Sequence, residues 1–339
     1  MQYQKVNAII SQILKEHKSI SENISICNLS EIIMKSDVIC HGSEALKHLA
    51  EVYPQLYLIP GAQESEEKYQ DIVCRGMEPH SEDLSHFLTS EEDLLELIDT
   101  PAGSVEALTL NERADFERFL MIMANKCVPF EVPKTQGSSI LDGVINWKKI
   151  HAHQKEWFEA EVKKGNLFPD WNREFKRFTA DRNNYRDVLI VLSSGPYSNI
   201  PASAFGYTDM EWKGISGIIR KIHECTHFIC RRKFPEKINK VWDEIVADSA
   251  GILAATGKFD LPAVQMEERF LGISEKGYAG GRLENYVEDK EQLDVIALKV
   301  HSTLLKIKNY YKENPFSDPF DFVLHLEERQ DEWWDEKPE

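Results

Sequence analysis

The chain has 339 residues, of which 42% are hydrophobic and 29% charged, a balance typical of a globular protein with a sizeable core. It carries 57 acidic against 40 basic residues, a net charge of −17, and no basic stripe offsets this charge. Such a surface repels phosphate backbones, so we expect no nucleic-acid partner.

Cysteine usage and the N-terminal stretch predict the compartment. The six cysteines lack the CxxC spacing of a thiolate zinc cluster and do not resemble a disulfide framework. The stretch MQYQKVNAIISQILKEHKS has neither the apolar run nor the cleavage site of a secretory signal. No stretch approaches the ~18 apolar residues of a membrane span. We therefore expect a cytoplasmic protein with no membrane partner. These features leave its oligomeric state open.

Helical periodicity dominates the first third of the chain. Apolar residues from Val6 to Leu14 recur at helical spacing and predict an opening amphipathic helix. Further helices are predicted near 43–53, 91–99 and 110–126, and Thr109 with Glu112 forms a predicted capping box for the last of these. Two apolar runs between 54 and 88, YLIP and DIVC, predict short strands.

The middle of the chain contains the strongest strand signal. Residues 128–142 predict an extended segment followed by a Gly-Ser-Ser loop without the lysine of a phosphate-binding loop. His151 and His153 fall on a predicted helix, where residues two apart diverge, so we expect no shared metal. The β-rich stretch 187–194 predicts a strand. With the loop Gly195–Tyr207, it is our candidate edge strand for holding a substrate backbone.

A long helix follows this loop. Thr208 and Glu211 form a capping box that predicts a helix start at Asp209. Gly214 and Gly217 lie inside this helix, where each costs about 1 kcal/mol relative to alanine. We therefore expect another backbone to pack closely against these two glycines.

An HExxH motif lies on the same helix. His223 and His227 are one turn apart on one face, so both imidazoles can reach a single ion. Glu224 projects beside them, suitably placed to act as general base on a zinc-bound water. On a second predicted helix, Glu244 and Asp248 also share a face. Glu244 can supply a third ligand, and Asp248 can accept a hydrogen bond from a ligand histidine.

HExxH followed by a helical ExxxD resembles the thermolysin-like, or gluzincin, group of zinc metallopeptidases, over residues 210–256. The resemblance implies a zincin-like catalytic core. It implies Zn²⁺ bound by His223, His227 and Glu244, with Glu224 as base and Asp248 supporting the first histidine.

Donors for a developing oxyanion are expected in the segment from Gly277 to Tyr286. Its adjacent glycines allow a close approach to the metal, and Tyr278, Arg282 and Tyr286 offer hydrogen-bond donors. The alternative is an ordinary turn whose tyrosines pack against the core.

The C-terminal part is predicted to be helical. Residues 287–313 predict a long amphipathic helix on which His301 is a core residue, and a final helix is predicted at about 318–331. Trp333 and Trp334 are predicted to be exposed, either as a contact surface or in a disordered tail.

Together these patterns predict an α+β fold, mainly helical, with a small sheet next to the HExxH helix. We expect a helical and mixed region over 1–180, the catalytic core over 181–315, and a C-terminal helix and acidic tail over 316–339. The predicted function is a cytosolic zinc metallopeptidase acting on a peptide or protein. The alternatives are a zinc amide or ester hydrolase of a small or modified molecule, and a non-catalytic, metal-stabilised binding protein.

Overall fold

The computed structural model describes residues 36–166, 168–237 and 239–334. The predicted helix at 6–14 lies outside these residues. The strands are β1 (Ser36–His41), β2 (Leu94–Thr100), β3 (Gly103–Leu110), β4 (Ser138–Ile145), β5 (Arg186–Ser193), β6 (Ile273–Ser274) and β7 (Gly277–Tyr278). The helices are α1 (Ser43–Val52), α2 (Ser65–Arg75), α3 (Arg113–Met123), α4 (Trp147–Lys163), α5 (Trp171–Phe178), α6 (Asp209–Lys233), α7 (Lys240–Thr256), α8 (Leu261–Leu271), α9 (Leu293–Glu313), α10 (Pro319–Glu328) and α11 (Gln330–Trp333).

The first five strands form one mixed sheet in the order β1-β2-β3-β5-β4. Strands β3 and β5 are parallel, and the other neighbours are antiparallel. Successive side chains of β5 point to opposite faces, so Leu189 and Val191 enter one core and Ile190 and Leu192 the other. The sheet is therefore covered on both faces.

Different parts of the chain cover the two faces. Helices α1 to α3 pack on one face through buried residues such as Leu49, Phe116 and Phe119. Helices α6 to α10 cover the other face, with the indole of Trp242 completely buried. The mainly helical α+β architecture is thus confirmed. The sheet crosses the predicted boundary at residue 180, because β1 to β4 precede it and β5 follows it.

Two predictions in the first third were wrong about element type. The segment 91–99 contains strand β2, not a helix, and DIVC lies in helix α2, not in a strand. Short apolar runs fit both periods, and two antiparallel neighbours decide in favour of a strand: β3, which follows β2 in a tight hairpin, and β1, which lies more than 50 residues earlier in the chain. YLIP overlaps a short 3₁₀ turn (Pro54–Tyr57) and the loop after it.

The predicted capping box at Thr109 was also wrong. Thr109 is paired with Leu94 inside the sheet, and helix α3 starts at Arg113 without a side-chain cap. Further along, the Gly-Ser-Ser sequence runs directly into β4, which begins at Ser138.

The edge of the sheet differs from the predicted one. Strand β5, which we expected at an edge, lies between β3 and β4, and β4 is the edge strand beside it. The reason is that β5 returns antiparallel beside β4 after the connection through α4 and α5, and the local pattern does not reveal this pairing.

At the C-terminus, helix α9 begins at Leu293 and the final helix is divided into α10 and α11. The predicted exposure of Trp333 and Trp334 was wrong, since they are 9% and 5% exposed and belong to the core. No helix within the described residues is long and apolar enough to cross a membrane.

Candidate metal centre

Helix α6 begins where the capping box predicts. The Thr208 hydroxyl accepts a hydrogen bond from the Glu211 backbone N–H, and the Glu211 carboxylate accepts one from the Thr208 N–H. The helix runs for 25 residues and ends after Arg231, Arg232 and Lys233, whose charges complement the dipole at its C-terminus. The HExxH motif thus lies well inside a largely buried helix whose two ends are clearly defined.

Helix α7 packs closely against α6. Its N-cap is Asn239, whose side chain accepts hydrogen bonds from the Val241 and Trp242 N–H groups. At Gly251, an added Cβ would lie only 2.7 Å from the Ile219 carbonyl oxygen. The close backbone approach that we expected at Gly214 and Gly217 is therefore at Gly251, and nothing lies within 4 Å of a Cβ placed at either of those two positions.

This packing brings three potential ligands together. The Nε2 atoms of His223 and His227 are 3.1 Å apart. The Glu244 carboxylate lies 3.6 Å from His223 Nε2 through one oxygen and 3.4 Å from His227 Nε2 through the other. The three side chains are only 6 to 12% exposed. Among the described residues, they form the group of donors placed to hold one metal ion.

The spacing of these atoms matches a tetrahedral ion. Ligand atoms at roughly 2.0–2.2 Å from a tetrahedral zinc are about 3.3–3.6 Å apart, close to the three separations found here. Glu244 Oε2 is buried and accepts no hydrogen bond, which leaves its lone pairs available. Two imidazoles and one carboxylate are also the donor set of a catalytic rather than a structural zinc site. The residues therefore fit a zinc ion.

Asp248 fixes the orientation of the first histidine. Its Oδ1 lies 2.9 Å from His223 Nδ1 and also accepts a 2.6 Å hydrogen bond from the Tyr197 hydroxyl. Its Oδ2 is paired with the Arg282 guanidinium. Because Asp248 is completely buried and paired with Arg282, its Oδ1 holds the proton of His223 on Nδ1 and leaves Nε2 free to bind a metal.

The electrostatics of the site favour an ionised glutamate. Burial opposes ionisation of Glu244, but the charges of His223, His227 and Arg282 outweigh it and lower the pKa of this carboxyl. Burial also opposes the charged form of His227, which by itself would lower the pKa of this ring. Its hydrogen bond to Glu244 and the charge of Glu224 outweigh burial, so the pKa of His227 is raised. The carboxylates thus provide negative charge where a cation would bind.

The three predicted oxyanion donors have different surroundings. The Tyr278 hydroxyl accepts a hydrogen bond from the Gly281 N–H and donates to its carbonyl, so it stabilises its own turn. Arg282 is engaged by Asp248 and also donates to the Tyr197 hydroxyl. The Tyr286 hydroxyl is hydrogen-bonded to Glu244, and burial raises its pKa, which keeps it protonated. Of the three, Tyr286 is the one in contact with a candidate ligand.

Two buried residues of the site were missed in the sequence. Tyr197 is 3% exposed, and the guanidinium groups of Arg220 and Arg282 lie over its ring, 5.7 and 5.1 Å from the ring centroid. Glu267 is completely buried, and its Oε2 accepts a 2.7 Å hydrogen bond from the Ser249 hydroxyl. Burial and the nearby Asp248 charge raise the pKa of Glu267 well above its ordinary value. Neither residue belongs to a recognisable motif, since both reach the site through tertiary contacts.

Two of the three other histidines considered in the sequence pair with carboxylates away from this centre. His153 lies 2.7 Å from Glu174, and His301 contacts Glu268. His151 is exposed, and it lies two residues before His153 on the same helix α4, so the two side chains point in different directions as expected.

The fold and site define an α+β protein with a buried two-histidine, one-carboxylate centre between two helices. A family model described as "Family of unknown function (DUF7005)" matches residues 11–313, so the chain belongs to this family. No curated protein and no solved structure is significantly similar to the chain.

Proposed function

We propose that this protein is a zinc-dependent hydrolase and that its substrate is a peptide. The observation that carries the proposal is the convergence of His223, His227 and Glu244 at separations suited to one tetrahedral ion. When bound there, zinc would supply Lewis acidity, lowering the pKa of a water toward ~7 and polarising a carbonyl group.

The protein's own residues would supply the proton transfers. Glu224 follows His223 directly on α6, and its charge acts on the His227 ring. Its carboxylate would accept a proton from the attacking water and return it to the leaving amine. The protonated hydroxyl of Tyr286 would donate to the oxygen on which negative charge develops.

The open edge of the sheet supports a peptide as the substrate. The Ser193 N–H donates to the Gly137 carbonyl. Along an antiparallel strand, the backbone N–H and C=O groups of successive residues point alternately toward and away from the partner strand, so those of Ser138 and Ile140 point away from β5. Within the described residues, no strand lies beyond β4. Gly137 lies against Arg220, one turn before His223, so an extended peptide paired with this edge would pass close to the metal centre.

The test combines metal analysis with hydrolysis. Purified protein loaded with zinc should cleave members of a peptide library, and a chelator should abolish the cleavage. Glu224→Gln should retain one zinc per chain while losing at least about 100-fold in rate. Glu236→Gln, on the exposed turn after α6, is the matched control and should retain full activity.

Three other outcomes would lead elsewhere. Chelator-sensitive hydrolysis of small esters or amides without peptide cleavage would change the substrate class. Stoichiometric zinc without any hydrolysis would indicate a metal-stabilised binding protein. If wild-type protein binds no zinc, or His223→Ala binds as much as wild type, the metal centre itself is refuted.

A further inference from the structure

Helices α4 and α5 form a helix pair (Trp147–Phe178) that lies between strands β4 and β5 in the chain. Among the described residues, the side chains that tie the pair to the sheet and to α2 lie in its first turn. The Trp147 indole packs on Gly76 and donates to the Val73 carbonyl, Lys149 pairs with Asp187, and Ile150 is buried. In the described part of the chain, neither core cluster contains a residue of the pair.

Beyond that turn, the two helices contact each other. His153 stacks on Phe178 with ring centroids 4.0 Å apart and bonds to Glu174, and Trp157 contacts Trp171 at 5.8 Å. The aromatic rings remain half-exposed, and Phe168 in the connecting loop is 93% exposed. Aromatic side chains with such exposure are typical of protein contact surfaces.

The charge of the helix pair is opposite to that of the whole chain. Between Trp147 and Phe178 there are eight lysines and arginines against five acidic residues, whereas the chain as a whole has a net charge of −17. The stretch from Glu64 to Glu92 has nine acidic against two basic residues, and most of these carboxylates are exposed. We call the exposed carboxylates of this stretch the acidic surface.

We propose that the helix pair is a dimerisation arm that docks on the acidic surface of a second copy of this chain. The acidic surface adjoins the base of the pair, because Gly76 and Val73 contact Trp147. A second copy therefore offers the complementary charge, whereas an anionic bilayer would be repelled by that same surface. The Debye length is about 8 Å at physiological salt. Opposite charges in direct contact across the interface therefore still attract each other, whereas the repulsion between the net charges of the two chains is largely screened.

The area argues for a reciprocal, two-fold arrangement. Helix α4 is about 25 Å long and α5 about 12 Å, so with a width of about 10 Å each they present roughly 400 Å² on one face. A single docked pair would then bury only about 800 Å² in total, the size of an adventitious contact. Two reciprocal contacts bury about 1,600 Å², which is the size of a stable interface. This inference is independent of the proposed hydrolase function.

The experiment measures mass by sedimentation equilibrium over about 1–100 µM, which covers dissociation constants of micromolar dimers. Wild type should be dimeric at the upper end and should dissociate as salt is raised. The variant Lys155→Glu/Lys163→Glu/Lys176→Glu should raise the dissociation constant at least about tenfold. The matched control with the same charge change, Lys276→Glu/Lys306→Glu/Lys312→Glu, should dimerise like wild type.

A rescue experiment tests the acidic surface. The variant Glu78→Lys/Glu82→Lys should be monomeric alone, yet it should form a heterodimer when mixed with the variant reversed at 155, 163 and 176. Failure of the mixture to associate would refute the acidic surface as the partner. The proposal is overturned if wild type stays monomeric at 100 µM. A monomer that binds anionic vesicles through Phe168 and Lys163 would instead make the arm a lipid-binding element.

Discussion

The contact between α6 and α7 predicts that an alanine destabilises the protein at Gly251 but stabilises it at Gly214. In Gly251→Ala, the new Cβ would lie 2.7 Å from the Ile219 carbonyl oxygen and 3.2 Å from its Cα. These are backbone atoms, so the two helices must separate by about 0.5–1 Å, and overpacking of this kind costs about 1–3 kcal/mol. The alanine recovers about 0.5–1 kcal/mol of helix propensity, which leaves a net loss of up to about 2.5 kcal/mol.

Gly214→Ala is the control on the same pair of helices. No atom lies within 4 Å of its added Cβ, so the propensity gain is unopposed and the free energy of unfolding should rise by about 0.5–1 kcal/mol. Urea unfolding followed by circular dichroism measures both changes. Because Glu244 lies on α7 and the histidines on α6, Gly251→Ala should also weaken zinc binding in a competition titration. Equal stability of the two variants would refute the close-contact argument.

Three further predictions concern the proposed metal centre and the buried carboxyl group of Glu327. Tyr197→Phe keeps the ring but removes the hydroxyl bonded to Asp248 at 2.6 Å, so zinc affinity should fall about tenfold; an unchanged affinity would mean that the hydroxyl does not position the carboxylate. Zinc at 100 times its dissociation constant should raise the free energy of unfolding by about 2.7 kcal/mol in wild type and not in His223→Ala, measured by urea titration with and without chelator. Glu327 is 1% exposed, and burial followed by the Asp243 charge raises its pKa to about 7, from an ordinary 4.5. The folded protein therefore binds the proton of this carboxyl more tightly than the unfolded chain does. Protonated Glu327 contributes about 3 kcal/mol to the free energy of unfolding below pH 4.5, and this contribution is lost as pH rises through 7. Glu327→Gln should flatten this loss; a variant with the wild-type pH profile of stability would contradict the assignment.

The HExxH and ExxxD motifs show how much local sequence can predict. The spacing of His223 and His227 on a helix, and of Glu244 and Asp248 on another, is set by the 3.6-residue period, so the sharing of a face within each pair follows from sequence. The start of α6 was also predictable, because a capping box involves only neighbours in the chain. The strand at 187–194 was recognisable from its apolar, β-branched composition.

Local sequence did not determine which elements meet. The type of segment 91–99 depends on pairing with β1 and β3, and the position of β5 inside the sheet depends on β4, which covers its outer side. The helical glycines show the same limit, since the close approach occurs at Gly251 and not at Gly214 or Gly217. Side-chain packing between distant segments decides such choices, and a periodic pattern records only that a face is buried, not what buries it.

The sequence by itself therefore determined the chemistry that the centre can hold: two imidazoles one turn apart, and two carboxylates one turn apart. Only the tertiary structure decided that the two helices cross closely enough to place Glu244 within 3.6 Å of both imidazoles. It alone brought Tyr197, 26 residues before His223, onto Asp248. The physical reason is that helical period is a property of neighbouring residues, whereas the meeting of two helices depends on the close approach that a single glycine permits.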